Sequence, residues 1–184
     1  MARALSEEPE GLVYRPDLLT AEEEADVLRV LASLPFDPIV MHGQAAKRTA
    51  RHFGLDYDYE ARTPLPGEAV PDWILPVRER AAELAGHDSE ELVEILVQRY
   101  PPGSTIGWHR DAPAFGTVIG VSLGGESRLR FQRGKGDDRR VWEVLLEPRS
   151  GYVLAGKARA SWQHSIPPTK ELRYSITFRT LRKR

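Results

Sequence analysis

No cysteine occurs in this 184-residue chain. That excludes disulfides, thiolate metal ligands and cysteine nucleophiles, so any metal must be held by His, Asp or Glu. No apolar run reaches the roughly 20 residues of a membrane span, and the N-terminus MARALSEEPEG carries acids where a signal peptide would be hydrophobic. A soluble, cytoplasmic, single-domain protein is expected. Lysine is scarce, 5 residues against 21 arginines. The net charge of −1 argues against a basic field over the whole protein. The charge is uneven, however: Arg128 to Arg184 holds fifteen Lys or Arg against five Asp or Glu, and the first thirty residues hold eight acids against three bases. The basic half is either a phosphate-binding face or an arginine-rich composition spread over a solvated surface.

Thr20 followed by Glu23 is a capping-box pattern, and Ala25, Leu28, Leu31 and Leu34 recur at helical spacing, which predicts a helix over 20–34. A second helix is expected between Trp73 and Ala85, ending at Gly86 and starting late or bending at Pro76. The stretch between Pro35 and Pro71 reads as short strands and loops. From Leu92 the pattern becomes β-like: LVEILVQRY, TVIGVSL, SRLRFQ, VWEVLLEP, GYVLAG and LRYSITFR, separated by turns, with RGKGDDRR (133–140) as an exposed hairpin tip. In the first of these runs Val93, Ile95 and Val97 alternate with Glu94, Leu96 and Gln98, the pattern of a strand with one face more buried. The expected fold is α+β and mainly β, a double-stranded β-helix (jelly roll) core at about 91–182 with helices and a lid region at about 11–90 packed outside it.

Among these runs lies a set of chemically capable residues. His109 and Asp111 sit two apart beyond a predicted strand, so both can reach one point while Arg110 points away. His164 follows, with Arg173 and Arg179 behind it. Two imidazoles and one carboxylate can occupy one face of an octahedral Fe(II), and arginine forks suit the carboxylates of a dianionic acid such as 2-oxoglutarate. Each piece alone is weak: with five His and ten Asp an H-x-D pair arises readily by chance. His164 alone reads as a hydrogen-bonded core histidine, Arg173 and Arg179 as surface charges, and Tyr100 as a core aromatic with a wet hydroxyl. Trp108 reads as core, and His42 and His87 as exposed.

Order and context are more specific. Through VQRYPPGSTIGWHRD, IGVSLGGESRLRFQ, SGYVLAGKARASWQH and RYSITFR the chain resembles the AlkB family of Fe(II)- and 2-oxoglutarate-dependent dioxygenases, from about Gly11 to the C-terminus. The resemblance implies that His109, Asp111 and His164 ligate iron. It also implies that Arg173 and the Tyr100 hydroxyl hold the distal carboxylate of 2-oxoglutarate, and that Arg179 takes the carboxylate nearer the metal. Gln98 and Ser175 stand where Asn is common in relatives. O2 would be the second co-substrate, with alkylated DNA or RNA the implied partner of a monomeric enzyme. The implied reaction dealkylates an N-alkylated base and releases formaldehyde, succinate and CO2.

For the substrate lid, the corresponding region offers Lys47, Arg48, Arg51, His52, Phe53, Tyr57 and Tyr59, basic residues interleaved with aromatics that suit phosphates and bases. The alternative is a hairpin with scattered surface rings. Several dealkylating relatives carry an acid two positions beyond the ligand aspartate, and here Pro113 stands there. RHFGLDYDY followed by PLPGEAVP resembles members that act on RNA. Two further readings follow: the same chemistry applied to an RNA base modification or a protein side chain, and a non-catalytic metal-binding jelly roll.

Overall fold

The computed structural model describes residues 7–41, 43–58 and 63–183. In chain order the strands are β1 (Leu12–Arg15), β2 (Asp37–Met41), β3 (Gln44–Asp58), β4 (Thr63–Pro66), β5 (Leu92–Tyr100), β6 (Ile106–His109), β7 (Phe115–Gly124), β8 (Ser127–Arg133), β9 (Arg140–Leu146), β10 (Gly151–Leu154), β11 (Gln163–Ile166) and β12 (Arg173–Leu181). The helices are α1 (Ala21–Leu31), α2 (Leu75–Ala85) and the short α3 (Gly156–Ala160). The large sheet runs β1-β10-β7-β12-β5-β3-β2 with β4 attached to β3, and the small sheet runs β6-β11-β8-β9. All the pairings are antiparallel. The expected jelly-roll class is the observed one.

Local chemistry accounts for the helix ends. The Thr20 hydroxyl accepts from the Glu23 amide at 3.1 Å and the Glu23 carboxylate accepts from the Thr20 amide at 2.8 Å, the reciprocal pair that the sequence predicts. As Pro76 leads one to expect, α2 begins late, at Leu75 rather than at Trp73. The proline sits in the first turn, where its missing N–H would have had no intrahelical partner. Gly86 ends that helix in the left-handed conformation. The region between the helices is more regular than its composition suggests, because β3 is a single 15-residue strand. Gly54 makes this possible: at φ 77° it lies against the Val93 carbonyl, where a Cβ would come within 2.2 Å, and beyond it β3 leaves β5 and pairs with β4.

The large sheet is buried on both faces. Its outer face, with Ile95, Val97, Ile119, Val121, Ile176 and Phe178, packs against Leu31 of α1 and Val77 and Ala81 of α2. Its inner face meets the small sheet through Val118, Tyr152 and Leu154 against Leu129, Phe131 and Leu146. Each fully buried apolar side chain of this kind contributes about 1.5–3 kcal/mol. The alternation in β5 therefore does not separate buried from exposed. It separates an apolar face under the helices from a second buried face that carries Glu94, Gln98 and Tyr100. No described helix is long and apolar enough to cross a membrane.

Candidate active site

The inner face of the large sheet holds a polar strip inside an otherwise apolar sandwich. On β12, Arg173, Ser175, Thr177 and Arg179 share this face. Register sets Arg173 between Tyr100 and Gly124, Ser175 between Gln98 and Ser122, Thr177 between Leu96 and Gly120, and Arg179 between Glu94 and Val118. Gly120 leaves room for the Tyr152 ring, since a Cβ there would come within 2.2 Å of it. Burial pushes the Tyr152 hydroxyl up to about 12, so it stays protonated.

Facing the strip, the small sheet brings the two histidines together. His109 ends β6 and pairs in register with His164 on β11, their ring centroids 4.3 Å apart. Asp111 lies just past β6, and the ligating atoms of His109, Asp111 and His164 all fall within 4.8 Å of one another. His109 Nδ1 lies 2.8 Å from the Gly107 carbonyl, which can only accept, so Nδ1 carries the proton and Nε2 keeps its lone pair. Burial lowers the His164 pKa to about 4, only partly opposed by Asp111, so the ring is neutral at neutral pH. Its 3.4 Å approach to Asp111 is therefore not an ion pair.

Asp111 is held from one side only. Its Oδ1 accepts from Arg179 Nε at 3.0 Å and Nη2 at 2.7 Å. Its Oδ2 is buried, faces His164 and has no hydrogen-bond partner. Burial alone would raise the pKa of this carboxyl, but Arg179, then His164 and His109, hold it well below the usual carboxylate range. An orphaned anionic oxygen beside two imidazoles is the donor set that Fe(II) takes in two-histidine-one-carboxylate sites, and the residues fit that ion.

The two arginines differ. Arg173 is 1% exposed; its Nε donates to the Ser122 hydroxyl at 2.9 Å, its guanidinium lies 5.0 Å from the centre of the Tyr100 ring, and its buried Nη1 has no partner. Among the described residues no carboxylate pairs with it. Beside it the Tyr100 hydroxyl donates to Gln98 Oε1 at 3.0 Å, which leaves the Gln98 amide nitrogen as a donor. A buried guanidinium with unspent donors suits a carboxylate of 2-oxoglutarate. Arg179 already has its anions. Besides Asp111, its Nη1 donates to Glu94 Oε2 at 2.5 Å. Burial opposes its charge, but Glu94 and Asp111 outweigh that and raise its pKa. Its contacts fix Asp111, a task the motif alone did not reveal and one that comes beside the expected role toward the co-substrate carboxylate nearer the metal.

Three further residues escape the sequence pattern. Glu94, 2% exposed, completes the Arg179 network and lies 3.7 Å from His52 Nδ1. Ser122 supports Arg173. Arg159 donates to the carbonyls of Ala112, Phe115 and Gly116 at 2.7–3.0 Å and so pins the loop after Asp111. Only Glu94 had a readable signal, its even spacing from Gln98 and Tyr100 on one strand face.

Strand alternation divides the expected lid. Arg48 and His52 share the inner-face parity of β3, whereas Arg51 and Phe53 have the opposite parity. Phe53 is a core residue, 5% exposed and edge-on to Trp73 with centroids 6.3 Å apart, so it forms no part of a lid. Arg51 is taken up by Glu68 and Asp37. Arg48 is buried, donates to the Thr105 carbonyl at 3.1 Å and keeps an unpartnered Nε. Tyr57 lies on β3 with its side chain outside the described residues, as are Tyr59 and His42. Trp108 is not core: it sits half-buried on the outer face of the small sheet, 5.2 Å from the Arg130 guanidinium. His87 is half-buried rather than exposed, bonded to Glu91 at 3.0 Å and Thr117 at 3.1 Å.

Comparison with known proteins agrees with this geometry. Residues 11–179 match the family described as the 2OG-Fe(II) oxygenase superfamily. The chain is 29% identical over 172 residues to the tRNA (carboxymethyluridine(34)-5-O)-methyltransferase alkbh8 of Xenopus tropicalis, covering 88% of this chain and 26% of that one. It is 32% identical over 149 residues to the alpha-ketoglutarate-dependent dioxygenase AlkB of Salmonella typhimurium, covering 71% of this chain and 65% of that one. The chain spans about a quarter to a half of the length of the first curated relatives that it matches. A solved structure described as "The structure of OsALKBH1" superimposes with TM-score 0.68 at 20% identity, covering 95% of this chain and 98% of that one, which shows a shared fold. The chain therefore belongs to the 2OG-Fe(II) oxygenase superfamily and, within it, to the AlkB family, whose chemistry draws on Fe(II), 2-oxoglutarate and O2.

Proposed function

We propose that this chain is a dioxygenase that oxidises N-alkyl groups on bases of DNA or RNA. The observation that carries the reading is the conjunction, between the two sheets, of a His-Asp-His cluster with an orphaned carboxylate oxygen and an arginine with no carboxylate of its own. A bare metal-binding jelly roll would have no use for the second.

His109 Nε2, Asp111 Oδ2 and His164 would hold Fe(II). Arg173 would take the distal carboxylate of 2-oxoglutarate, and the Tyr100 hydroxyl would join it by turning its one proton from Gln98 to that carboxylate, with Gln98 and Ser175 lining the same strip. When bound, iron and 2-oxoglutarate supply the oxidant: O2 is consumed as 2-oxoglutarate loses CO2 to give succinate, and one oxygen atom enters a C–H bond of the N-alkyl group. For an N-methyl group the resulting hydroxymethyl breaks its C–N bond, releasing formaldehyde and the free base. The protein contributes placement. Arg179 fixes Asp111 with one oxygen free, the Gly107 carbonyl sets the His109 tautomer, and Arg159 keeps the loop after Asp111 in position. Arg48 and His52, with inner-face parity on β3, are the lid residues suited to contacting the base or its phosphate.

The place where relatives carry a base-contacting acid holds the exposed Pro113. This favours, as a second reading, oxidation of an RNA base modification over repair of a cationic methylated base. The test is a panel of methylated DNA and RNA oligonucleotides, followed by formaldehyde release and mass loss. Formaldehyde in proportion to succinate supports the proposal, whereas succinate production that no oligonucleotide stimulates contradicts it.

A further inference from the structure

The alternation that turns His109 and His164 inward turns their neighbours outward. Gln163 on β11, and Arg110 just past β6, are each one residue from an inward-turned histidine and so have the opposite parity. Both line an open groove of about 1090 Å³ that also takes in Asp111, Pro113, Arg159 and Arg182. The groove starts at the edge of the candidate metal site, since Asp111 belongs to both. Arg182 is tied to it through its backbone amide, which donates to the Ala114 carbonyl at 2.8 Å.

The groove's charge is one-sided. It carries three arginines and a single carboxylate, Asp111, which is buried and bonded to Arg179. Arg159 is engaged with backbone carbonyls. Arg110 and Arg182 are exposed and, among the described residues, pair with no acid. The chain as a whole has 27 acids against 26 bases, so the groove is more basic than the chain around it. The loop after Asp111 adds only neutral, mostly apolar surface, Ala112 and Pro113 among it.

We propose that this groove binds the phosphate backbone of the nucleic-acid strand that carries the reacting base. Arg110 and Arg182 pair with phosphates through their planar forks, and the Pro113 loop lies against the apolar faces of sugar and base. A neutral residue at 113 adds no second carboxylate to the groove. The inference rests on the nucleic-acid reading of the site and adds to it the path of the strand.

The test titrates fluorescent single-stranded DNA and RNA oligonucleotides into the full chain over a range of salt, comparing wild type with Arg110→Gln/Arg182→Glu and with Arg110→Lys/Arg182→Lys. The first variant should lose at least about tenfold in affinity at low salt. Its plot of log affinity against log salt should be shallower by about 1.4, the share of two single-strand phosphate contacts. The lysine variant should keep the wild-type slope, and the anaerobic Fe(II)–2-oxoglutarate band should be unchanged in both. A wild type that binds and a glutamate variant that binds as tightly with the same slope would overturn the groove and leave the nucleic-acid reading intact. A wild type that binds neither polymer would overturn both. Should the double variant lose the band, Arg182→Glu alone, far in sequence from the ligands, decides: its slope should be shallower by about 0.7, and an unchanged slope and affinity would overturn the groove.

Discussion

Arg173 and Arg179 stand six residues apart on one face of one strand, both at least nine-tenths buried, and they have been put to opposite uses. Arg179 lies between Glu94 and Asp111, so its charge is matched within the fold. Arg173 meets a hydroxyl, an aromatic ring and a donor with nothing to bond. Desolvating a guanidinium is costly, and only a partner of opposite charge offsets the cost. Arg179 finds that partner during folding, whereas Arg173 must receive it from outside. The comparison teaches that a buried cation is part of the architecture when its anions are protein atoms and a receptor when they are missing.

The sharpest way to break the contrast is to replace each arginine with methionine, which keeps volume and removes charge. Arg179→Met strands two buried carboxylates, and urea unfolding should show a loss of about 3–5 kcal/mol together with loss of the anaerobic Fe(II)–2-oxoglutarate band. Arg173→Met removes an unmatched charge and should leave stability unchanged or raised. A destabilisation of Arg173→Met as large as that of Arg179→Met would erase the distinction. Next in size, pH should affect the metal-free protein through His164. Its folded pKa, about 4, lies below its ordinary value of 6.5, so the unfolded chain binds the proton first. The contribution is present above pH 6.5 and declines as pH falls toward 4, by up to about 3 kcal/mol. In His164→Gln that part of the profile should flatten. Glu94→Gln keeps shape and a hydrogen bond but removes one of the two anions of Arg179. It should cost about 1.5–3 kcal/mol and weaken metal binding on the order of tenfold, measured by unfolding and by metal titration. The smallest effect belongs to Ser122→Ala, which frees one more donor of Arg173. It should cost about 1 kcal/mol and leave metal affinity at the wild-type value.

Much of this was legible in the sequence, and the remainder fails for identifiable reasons. The order of His109, Asp111, His164, Arg173 and Arg179 along β-like runs predicts the interior cluster, and the run LVEILVQRY coincides with β5. β1, β6 and β11, four residues each, are too short to show a period. The pairing of Arg179 joins residues 68 and 85 positions apart, and only the register of β12 with β5 and the return of the loop after β6 reveal it. Phe53 illustrates a different limit. An aromatic among basic residues suggests a lid, yet parity along one long strand sends it to the core while Arg48 and His52 take the other face. The same parity explains why Glu94, polar and in a strand, is buried without being misplaced.

The most direct test of the central claim, that Arg173 is a receptor for an external carboxylate, is a calorimetric titration of 2-oxoglutarate into the Mn(II)-loaded protein and its Arg173→Met variant. Truncating one partner of a buried charge pair costs about 2–5 kcal/mol, so Arg173→Met should bind 2-oxoglutarate at least about 30-fold more weakly while Mn(II) affinity is preserved. An Arg173→Met variant that binds 2-oxoglutarate as tightly as wild type would contradict the claim.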